Sequence, residues 1–261
     1  MIFYIFTIIL TLGLPIVGCL TFWKINNWYD FYRPIVLLIA GAVIAIAILW
    51  TFVDIAGRLT VNKNKEYEKP TRFHRFLINN GMAFIRRLAN IICICEGKEK
   101  VPTSGPVLLV SNHRSNFDNF LLTEKLFMRR HIAFISKPGN FKIPLAGRLM
   151  VRLGYLKIDR NDLMQSLEVM KKATQRMNDN ITSIGVFPEG TRSKDGHTMG
   201  EFHEGVFNIA IRSKKPIVVC SVNGTEKVHK RYPLPTKINV HVIQTLTYED
   251  YAGIPATNEV V

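Results

Sequence analysis

Two long uncharged segments dominate the hydrophobic pattern of the first fifty residues. The first runs from Met1 to Trp23, and the second runs from Pro34 to Val53. Each holds about 20 apolar or weakly polar residues, which is enough for a helix to cross ~30 Å of hydrocarbon. The pattern predicts an N-terminal helical hairpin that anchors the chain in a membrane, either spanning the bilayer or entering one leaflet and returning. A secretory signal peptide is the alternative for the first segment, but no basic region precedes it and no small-residue cleavage site follows it.

The distribution of basic residues predicts which side of the membrane the rest of the chain occupies. The loop from Lys24 to Arg33 holds only those two basic residues. More basic residues follow the second segment, namely Arg58, Lys63, Lys65, Lys69 and Arg72. Because cytoplasmic loops carry the excess of Lys and Arg, we expect a protein of the cell membrane with the residues from about 55 onward on the cytoplasmic side.

A stretch of mixed apolar and basic residues, 71–90, follows the charged linker. Phe73, Phe76, Leu77 and others recur at roughly helical spacing, with arginines at other positions. This profile predicts a basic amphipathic helix that lies on an anionic membrane. The alternative is an ordinary helix packed on the following domain. The sequence Asn79-Asn80-Gly81 weakens the middle of either helix.

From residue 91 onward, short apolar strands alternate with amphipathic helices. Strands are expected at Ile91–Cys95, Val107–Val110, Ile132–Ser136, Leu156–Ile158, Ile184–Phe187, Ile217–Val222 and Ile238–Thr245. Helices are expected at Asp118–Met128, Pro144–Leu153, Leu163–Met177 and Val206–Ser213. The pattern predicts an α/β fold, with a mixed, mainly parallel sheet of about seven strands flanked by helices and preceded by the membrane-anchoring hairpin. The expected domains are the anchor (1–56), a basic linker with the interfacial helix (57–90), and the α/β domain (91–261).

Charge and cysteine usage narrow the range of partners. The chain has 261 residues and a formal net charge of +14, which points to nucleic acid, a membrane surface or a phosphorylated substrate. Nucleic acid is not expected, because the chain has apolar segments and lacks an aromatic-basic binding motif. The four cysteines show no CxxC or Cys/His spacing, so free thiols and no metal site are expected.

The loop after the second predicted strand, Ser111 to Asp118, carries an imidazole and a carboxylate. If the chain turns tightly into a helix here, Asp118 lies in the first helical turn and reaches back to one nitrogen of His113. The other nitrogen could then take a proton from a substrate hydroxyl. The alternative is a chance pair, because His and Asp five residues apart occur in many proteins.

A second polar loop, FPEGTRS (187–193), follows the predicted strand Ile184–Phe187. Backbone N–H groups near Gly190, the Thr191 hydroxyl and the Arg192 guanidinium suit a phosphate oxyanion, although a bare turn ending in arginine is equally consistent. Lys137 and Arg160 are further site candidates because each follows an apolar strand. In α/β sheets, ligands bind where loops leave the carboxyl ends of strands, which is where both loops lie.

These motifs together resemble those of the glycerolipid acyltransferases, the family that contains the 1-acyl-glycerol-3-phosphate acyltransferases. Asn112 to Asp118 resembles the family's NHxSxxD block. The later blocks follow in order, as Lys142–Gly147 with Ile158–Arg160, Phe187–Ser193, Gly200–Phe202 with Gly205, and Lys215–Val218.

The resemblance implies acyl transfer from acyl-CoA or acyl-carrier protein to the sn-2 hydroxyl of lysophosphatidic acid, which gives phosphatidic acid. His113 would be the general base, oriented by Asp118. Arg192, with Lys137 and Arg160 as further candidates, would hold the phosphate, and Glu189 would brace the loop or an arginine. No cofactor is expected beyond the acyl donor. Backbone amides near Ser115 or Asn116 could polarise the thioester carbonyl.

Three alternatives stay open at this point. The same chemistry could act on glycerol 3-phosphate, or on another lysophospholipid. A protein that has kept the fold and lost turnover would be a membrane-anchored lipid-binding protein.

Overall fold

The computed structural model describes residues 2–21, 27–193 and 198–255. The chain divides into two compact units, Met1–Asn62 and Lys63–Val261, and each is described by itself. Trp23 and Lys24, which end the first apolar segment and begin its loop, lie outside the described residues.

The first unit contains two helices, α1 (Ile2–Thr21) and α2 (Tyr32–Thr60), with a 3-10 helix at Trp28–Phe31 before α2. Both helices are long and apolar enough to cross a membrane, judged by length and composition. They approach closely at Gly41, where a Cβ atom would lie 3.1 Å from the backbone oxygen of Leu10. Helix α2 continues past the expected end at Val53. An ion pair between Asp54 and Arg58, 2.6 Å apart and one turn from each other, stabilises this extension.

The second unit is built on a seven-stranded sheet, as predicted. Its order is β1-β7-β6-β2-β5-β3-β4. The strands are β1 (Ile91–Glu96), β2 (Leu108–Ser111), β3 (Ile132–Ser136), β4 (Leu156–Lys157), β5 (Ser183–Val186), β6 (Ile217–Asn223) and β7 (Thr236–Leu246). Neighbours run parallel except β6 and β7, which pair antiparallel.

Helices connect and flank these strands. They are α3 (Arg72–Leu88), α4 (Phe117–Leu126), α5 (Ala146–Arg152), α6 (Leu163–Asn178), α7 (Asn208–Ser213), α8 (Val228–Arg231) and α9 (Tyr248–Tyr251). Every residue of β2 and β5 is buried, which accounts for the apolar stretches 107–110 and 184–187 that overlap these strands. These two strands form the centre of the parallel part of the sheet, and the two polar loops begin at their carboxyl ends.

Helix α3 packs on the domain, so part of the apolar stripe expected to face a membrane is used in the core. Leu77, Ile78 and Met82 are buried, and Ile78 and Met82 belong to the core of the domain. The large apolar side chains left exposed on this helix are Phe73, Phe76, Ile85 and Leu88. The helix also runs unbroken through Asn79-Asn80-Gly81, where the Asn80 side chain donates a hydrogen bond to the Phe76 carbonyl at 2.9 Å.

Two predicted helices differ from those observed. The helix expected from Pro144 begins at Ala146, because Leu145 has φ +61° and interrupts the helical backbone. The helix expected over Val206–Ser213 is a 3-10 helix at Glu204–Phe207 followed by α7. Neither difference moves the loops that carry the candidate site residues.

Candidate active site

The two polar loops leave the sheet side by side. Strands β2 and β5 are parallel neighbours, with Val110 opposite Val186, so the chain emerges from both at one edge. The backbone N–H of Ser193 donates a hydrogen bond to the carbonyl of His113 at 2.9 Å. The sheet therefore brings the SNHRSNFD and FPEGTRS segments together, as the positions of their strands predict.

His113 and Asp118 form a hydrogen-bonded pair. The imidazole Nδ1 lies 2.8 Å from Asp118 Oδ2, and the Asp118 side chain is fully buried in the first turn of α4. The backbone N–H groups of Arg114 and Ser115 donate to the same oxygen, each at 2.7 Å. The Asp118 carboxylate can only accept hydrogen bonds, so Nδ1 of His113 carries a proton and donates it to this bond. Nε2 is then the imidazole nitrogen that can take up another proton.

The loop bends as tightly as the sequence predicts, and the turn uses the Ser115 amide, one of the two named as possible donors to the thioester carbonyl. The Ser115 N–H is engaged by the Asp118 carboxylate, so it is not available to polarise a thioester carbonyl. That expectation is wrong for Ser115, because binding the carboxylate is what closes the turn.

The aromatic ring of Phe187 supports the imidazole of His113. The two rings stack with centroids 4.2 Å apart and planes 15° apart. Phe134 lies 5.6 Å from Phe187, in a nearly parallel plane. Gly185 makes room for the Phe134 ring, since a Cβ atom there would approach its Cε1 to 2.5 Å. Phe134 on β3 and Phe187 after β5 thus form a stack that holds the plane of the imidazole.

Glu189 braces the same loop from the FPEGTRS turn. Its side chain is almost fully buried, at 4% exposure, and each carboxylate oxygen accepts a backbone N–H. Oε1 binds the N–H of His113 at 2.8 Å, and Oε2 binds the N–H of Gly200 at 2.9 Å. With both oxygens engaged by the protein backbone, Glu189 ties together three segments around His113.

The backbone N–H of Gly190, which was a candidate to bind a phosphate oxyanion, is used within the turn. It donates to the carbonyl of Phe187 at 2.9 Å, so it closes the turn and does not face a ligand. Gly190 has φ +64°, and a Cβ atom there would collide with the guanidinium of Arg160. Glycine thus gives the backbone its left-handed conformation and allows the Arg160 side chain to lie against the turn.

The cationic candidates divide into two groups. Arg160 lies against the FPEGTRS turn, and Arg192 and Thr191 are exposed within it. Lys137 is also exposed, at the start of the 3-10 helix Pro138–Lys142 that follows β3. Within residues 2–21, 27–193 and 198–255, no hydrogen bond joins Lys137 to the other predicted site residues. The structure therefore assembles two arginines beside the turn and leaves Lys137 on a neighbouring loop.

The sequence analysis missed Thr225 at this site, and it did not predict what the side chain of Asn112 contacts. The Thr225 hydroxyl donates to Asp118 Oδ1 at 2.6 Å. The Asn112 side chain pairs with the backbone of Val222, donating to its carbonyl at 2.9 Å and accepting from its N–H at 2.7 Å. The available signal was position, because Thr225 follows β6 at the edge where β2 and β5 also end.

Metal-ligating residues do not cluster in the described part of the chain. No group of three or more His, Cys, Asp or Glu side chains there could hold a metal ion. The cysteines Cys19, Cys93, Cys95 and Cys220 are free thiols, as expected.

A buried aspartate that orients a histidine at the carboxyl edge of a mainly parallel α/β sheet defines a class of site suited to general base chemistry. Residues 93–223 match the family model described as Acyltransferase, and the chain belongs to that family.

Named relatives agree with this assignment. A chloroplastic 1-acyl-sn-glycerol-3-phosphate acyltransferase of Brassica napus is 37% identical over 134 residues, which is 51% of this chain and 38% of the relative. The 1-acyl-sn-glycerol-3-phosphate acyltransferase of Salmonella typhimurium is 29% identical over 136 residues, which is 52% of this chain and 54% of the relative. The aligned part thus spans little more than a third of the plant protein and about half of the bacterial one.

The fold also resembles a solved structure. The 1-acyl-sn-glycerophosphate (LPA) acyltransferase PlsC from Thermotoga maritima matches with a TM-score of 0.58, over 99% of this chain and 90% of the other. Sequence identity in that match is 20%, so the likeness concerns the fold alone.

Proposed function

We propose that this protein transfers an acyl group from a thioester donor, acyl-CoA or acyl-carrier protein, to the sn-2 hydroxyl of 1-acyl-glycerol-3-phosphate, giving phosphatidic acid. The observation that carries the proposal is the His113–Asp118 pair, joined at 2.8 Å, with Arg192 on the adjoining turn and Arg160 against it. The relatives, which are 1-acyl-sn-glycerol-3-phosphate acyltransferases by name, support the choice of acceptor.

In the proposed reaction, Nε2 of His113 takes the proton of the sn-2 hydroxyl as its oxygen attacks the thioester carbonyl. The imidazolium that forms is stabilised by the Asp118 carboxylate on Nδ1. When the tetrahedral intermediate collapses, the C–S bond breaks and the sulfur leaves as the donor's thiol, receiving the proton that His113 held. The thioester is already activated, so this step uses neither a metal nor an acyl-enzyme.

The acceptor phosphate is assigned to the arginines beside the FPEGTRS turn. Arg160 lies against Gly190 and Arg192 is exposed two residues later, which supports assigning both guanidinium groups to a phosphate above the turn. Guanidinium forms paired, charge-assisted hydrogen bonds to phosphate oxygens. Lys137, on the loop that leaves the neighbouring strand β3, adds positive charge at the same edge.

The membrane part of the proposal concerns α1 and α2. We propose that these helices anchor the protein in the cell membrane, with the second unit on the cytoplasmic side. Acceptor and product are bilayer lipids, and extracting an acyl chain costs about 0.8 kcal/mol per CH₂. The exposed Phe73, Phe76, Ile85 and Leu88 of α3 would contact the same bilayer surface. Protease should digest the second unit in sealed inside-out vesicles, and its protection there would reverse the assigned side.

The test of the proposed function is an acceptor panel with purified protein in mixed micelles. We expect acylation of 1-acyl-glycerol-3-phosphate with at least one of acyl-CoA and acyl-carrier protein. Glycerol 3-phosphate and lysophosphatidylcholine serve as competing acceptors in parallel. Faster acylation of either competitor would reassign the acceptor, and no acylation of any acceptor with either donor would refute the activity.

The phosphate assignment has its own test. Arg192→Ala should raise the apparent KM for 1-acyl-glycerol-3-phosphate more than the apparent KM for the acyl donor, because only the acceptor phosphate is assigned to this side chain. Arg212→Ala, on α7 outside the site, is the control. An effect confined to the donor KM would move Arg192 to the donor site.

A further inference from the structure

We infer that Thr225 is a positioning residue, whose hydroxyl holds the Asp118 carboxylate in the orientation that serves His113. This inference rests on the proposed function, in which His113 is the general base. Nothing in the sequence motifs points to Thr225, which lies 107 residues from Asp118 along the chain and follows a different strand.

The contact is short and completely enclosed. Thr225 Oγ lies 2.6 Å from Asp118 Oδ1, and both residues have 0% exposed surface. The other carboxylate oxygen, Oδ2, accepts from His113 Nδ1 and from two backbone N–H groups. A buried carboxylate is stable only when its oxygens are paired, and the Thr225 hydroxyl pairs the oxygen that faces away from the imidazole.

The loop that carries Thr225 is itself fixed in place. Gly224 has φ +96°, and a Cβ atom there would lie 2.7 Å from the backbone oxygen of Lys237 on β7. Val222, the last residue but one of β6, is hydrogen-bonded to the Asn112 side chain through both its backbone N–H and its carbonyl. Asn112 directly precedes His113, and Val222 lies three residues before Thr225. The hydrogen bonds between Asn112 and Val222 therefore fix the position of the Thr225 hydroxyl relative to the imidazole.

The Thr225 hydroxyl fixes the orientation of the Asp118 carboxylate, which a methyl group of the same size could not do. Without it, Oδ1 loses its donor and the carboxyl group can turn about its Cβ–Cγ bond, which moves Oδ2 away from Nδ1. The imidazolium that forms in the transition state is then less well stabilised, so kcat falls. Thr225 is fully buried and touches neither substrate, so both KM values should stay the same.

The experiment compares Thr225→Val, Thr225→Ser and wild type, using phosphatidic acid formation from 1-acyl-glycerol-3-phosphate and the active thioester donor. Valine keeps the shape and removes the donor, and we expect kcat about 10- to 100-fold lower with both KM values within about twofold. Serine keeps the hydroxyl and should restore kcat to within about threefold of wild type.

Thr236→Val is the matched control. Thr236 is also buried, at 1% exposure, and its hydroxyl has no hydrogen-bond partner among the described residues. The same exchange there should leave kcat unchanged. Denaturation of each variant is measured alongside, so that a folding defect in Thr225→Val is recognised, and Thr225→Ser then decides the question.

Three results would overturn the inference. They are a wild-type kcat in Thr225→Val, a loss in Thr225→Ser as large as in Thr225→Val, and a rise in KM that accounts for the whole loss. His113→Ala in the same assay separates this inference from the proposed function. An inactive His113→Ala with a fully active Thr225→Val removes only the role of Thr225, whereas an active His113→Ala removes the general base itself.

Discussion

Replacing Glu189 by alanine should destabilise the second unit and also inactivate it. The carboxylate is 4% exposed and binds the N–H groups of His113 and Gly200 at 2.8 and 2.9 Å. A hydrogen bond to a charged group contributes about 1.5–3 kcal/mol, so the two together account for about 3–6 kcal/mol. Water that enters the vacated space can pair with the freed N–H groups. We therefore expect the free energy of unfolding to fall by about 3 kcal/mol, the lower end of that range.

The assay has to report on the second unit. All three tryptophans, Trp23, Trp28 and Trp50, precede it, so tryptophan fluorescence would follow the wrong part of the chain. Pulse proteolysis across a urea series in detergent measures the second unit directly. Glu189→Gln retains one acceptor oxygen and should lose about half as much. Glu201→Ala, at an exposed position in the adjoining segment, should stay within about 0.5 kcal/mol of wild type.

A free energy of unfolding within about 1 kcal/mol of wild type in Glu189→Ala would refute the reasoning, because two buried charge-assisted bonds cannot then be present. Loss of activity alone, at wild-type stability, would instead indicate that Glu189 contacts the substrate.

Three further predictions follow from the surroundings of the site. Gly185→Ala would place a Cβ atom 2.5 Å from the Phe134 ring, so it should cost about 1–3 kcal/mol of stability and lower kcat through the aromatic stack. Wild-type values for both would contradict this. Gly190→Ala should displace Arg160 and raise the KM for the acceptor, and an unchanged KM would separate Arg160 from the phosphate. Burial lowers the pKa of His131 to about 4. Between that value and the ordinary value near 6.5, this imidazole binds a proton only in the unfolded chain. Its contribution to the free energy of unfolding should therefore fall by about 3 kcal/mol as the pH drops from 7 to 4. His131→Gln should remove that part of the slope in a urea series repeated at each pH, and an unchanged slope would contradict the assignment.

Most strands could be predicted from the sequence because the central ones are buried on both faces, whereas β7 is buried on one face and its buried positions alternate. The stretches 107–110 and 184–187 carry no polar side chain, and the observed bounds of β2 and β5 lie within one residue of them. The strand order could not be predicted, and neither could the shared direction of β1 and β7, which run opposite to the other five strands, since both depend on how connections cross the sheet. Helix α3 shows a second limit. Its apolar periodicity predicted an amphipathic helix correctly, but periodicity does not say whether the apolar face meets a membrane or a protein core.

The meeting of the two polar loops could be predicted from the strands they follow, but the individual contacts of the site could be predicted only where the residues are close in sequence. The turn that brings Asp118 to His113 is local, and the turn-forming residues Ser115 and Asn116 indicate it in the sequence. The contacts from Glu189, Asn112 and Thr225 join segments 76 to 110 residues apart. They depend on the register of neighbouring strands, which no local pattern encodes. The same holds for the Ser115 and Gly190 amides, whose partners are set by how each turn closes.

The most direct test of the account is the rate at which His113→Ala converts 1-acyl-glycerol-3-phosphate to phosphatidic acid in the presence of the active thioester donor. His203→Ala, a half-buried histidine in the segment that follows the FPEGTRS turn, is assayed in parallel as the control. If Nε2 of His113 removes the hydroxyl proton, kcat should fall at least about a hundredfold while pulse proteolysis shows an intact second unit. A rate within about tenfold of wild type would contradict the general base at the centre of this account.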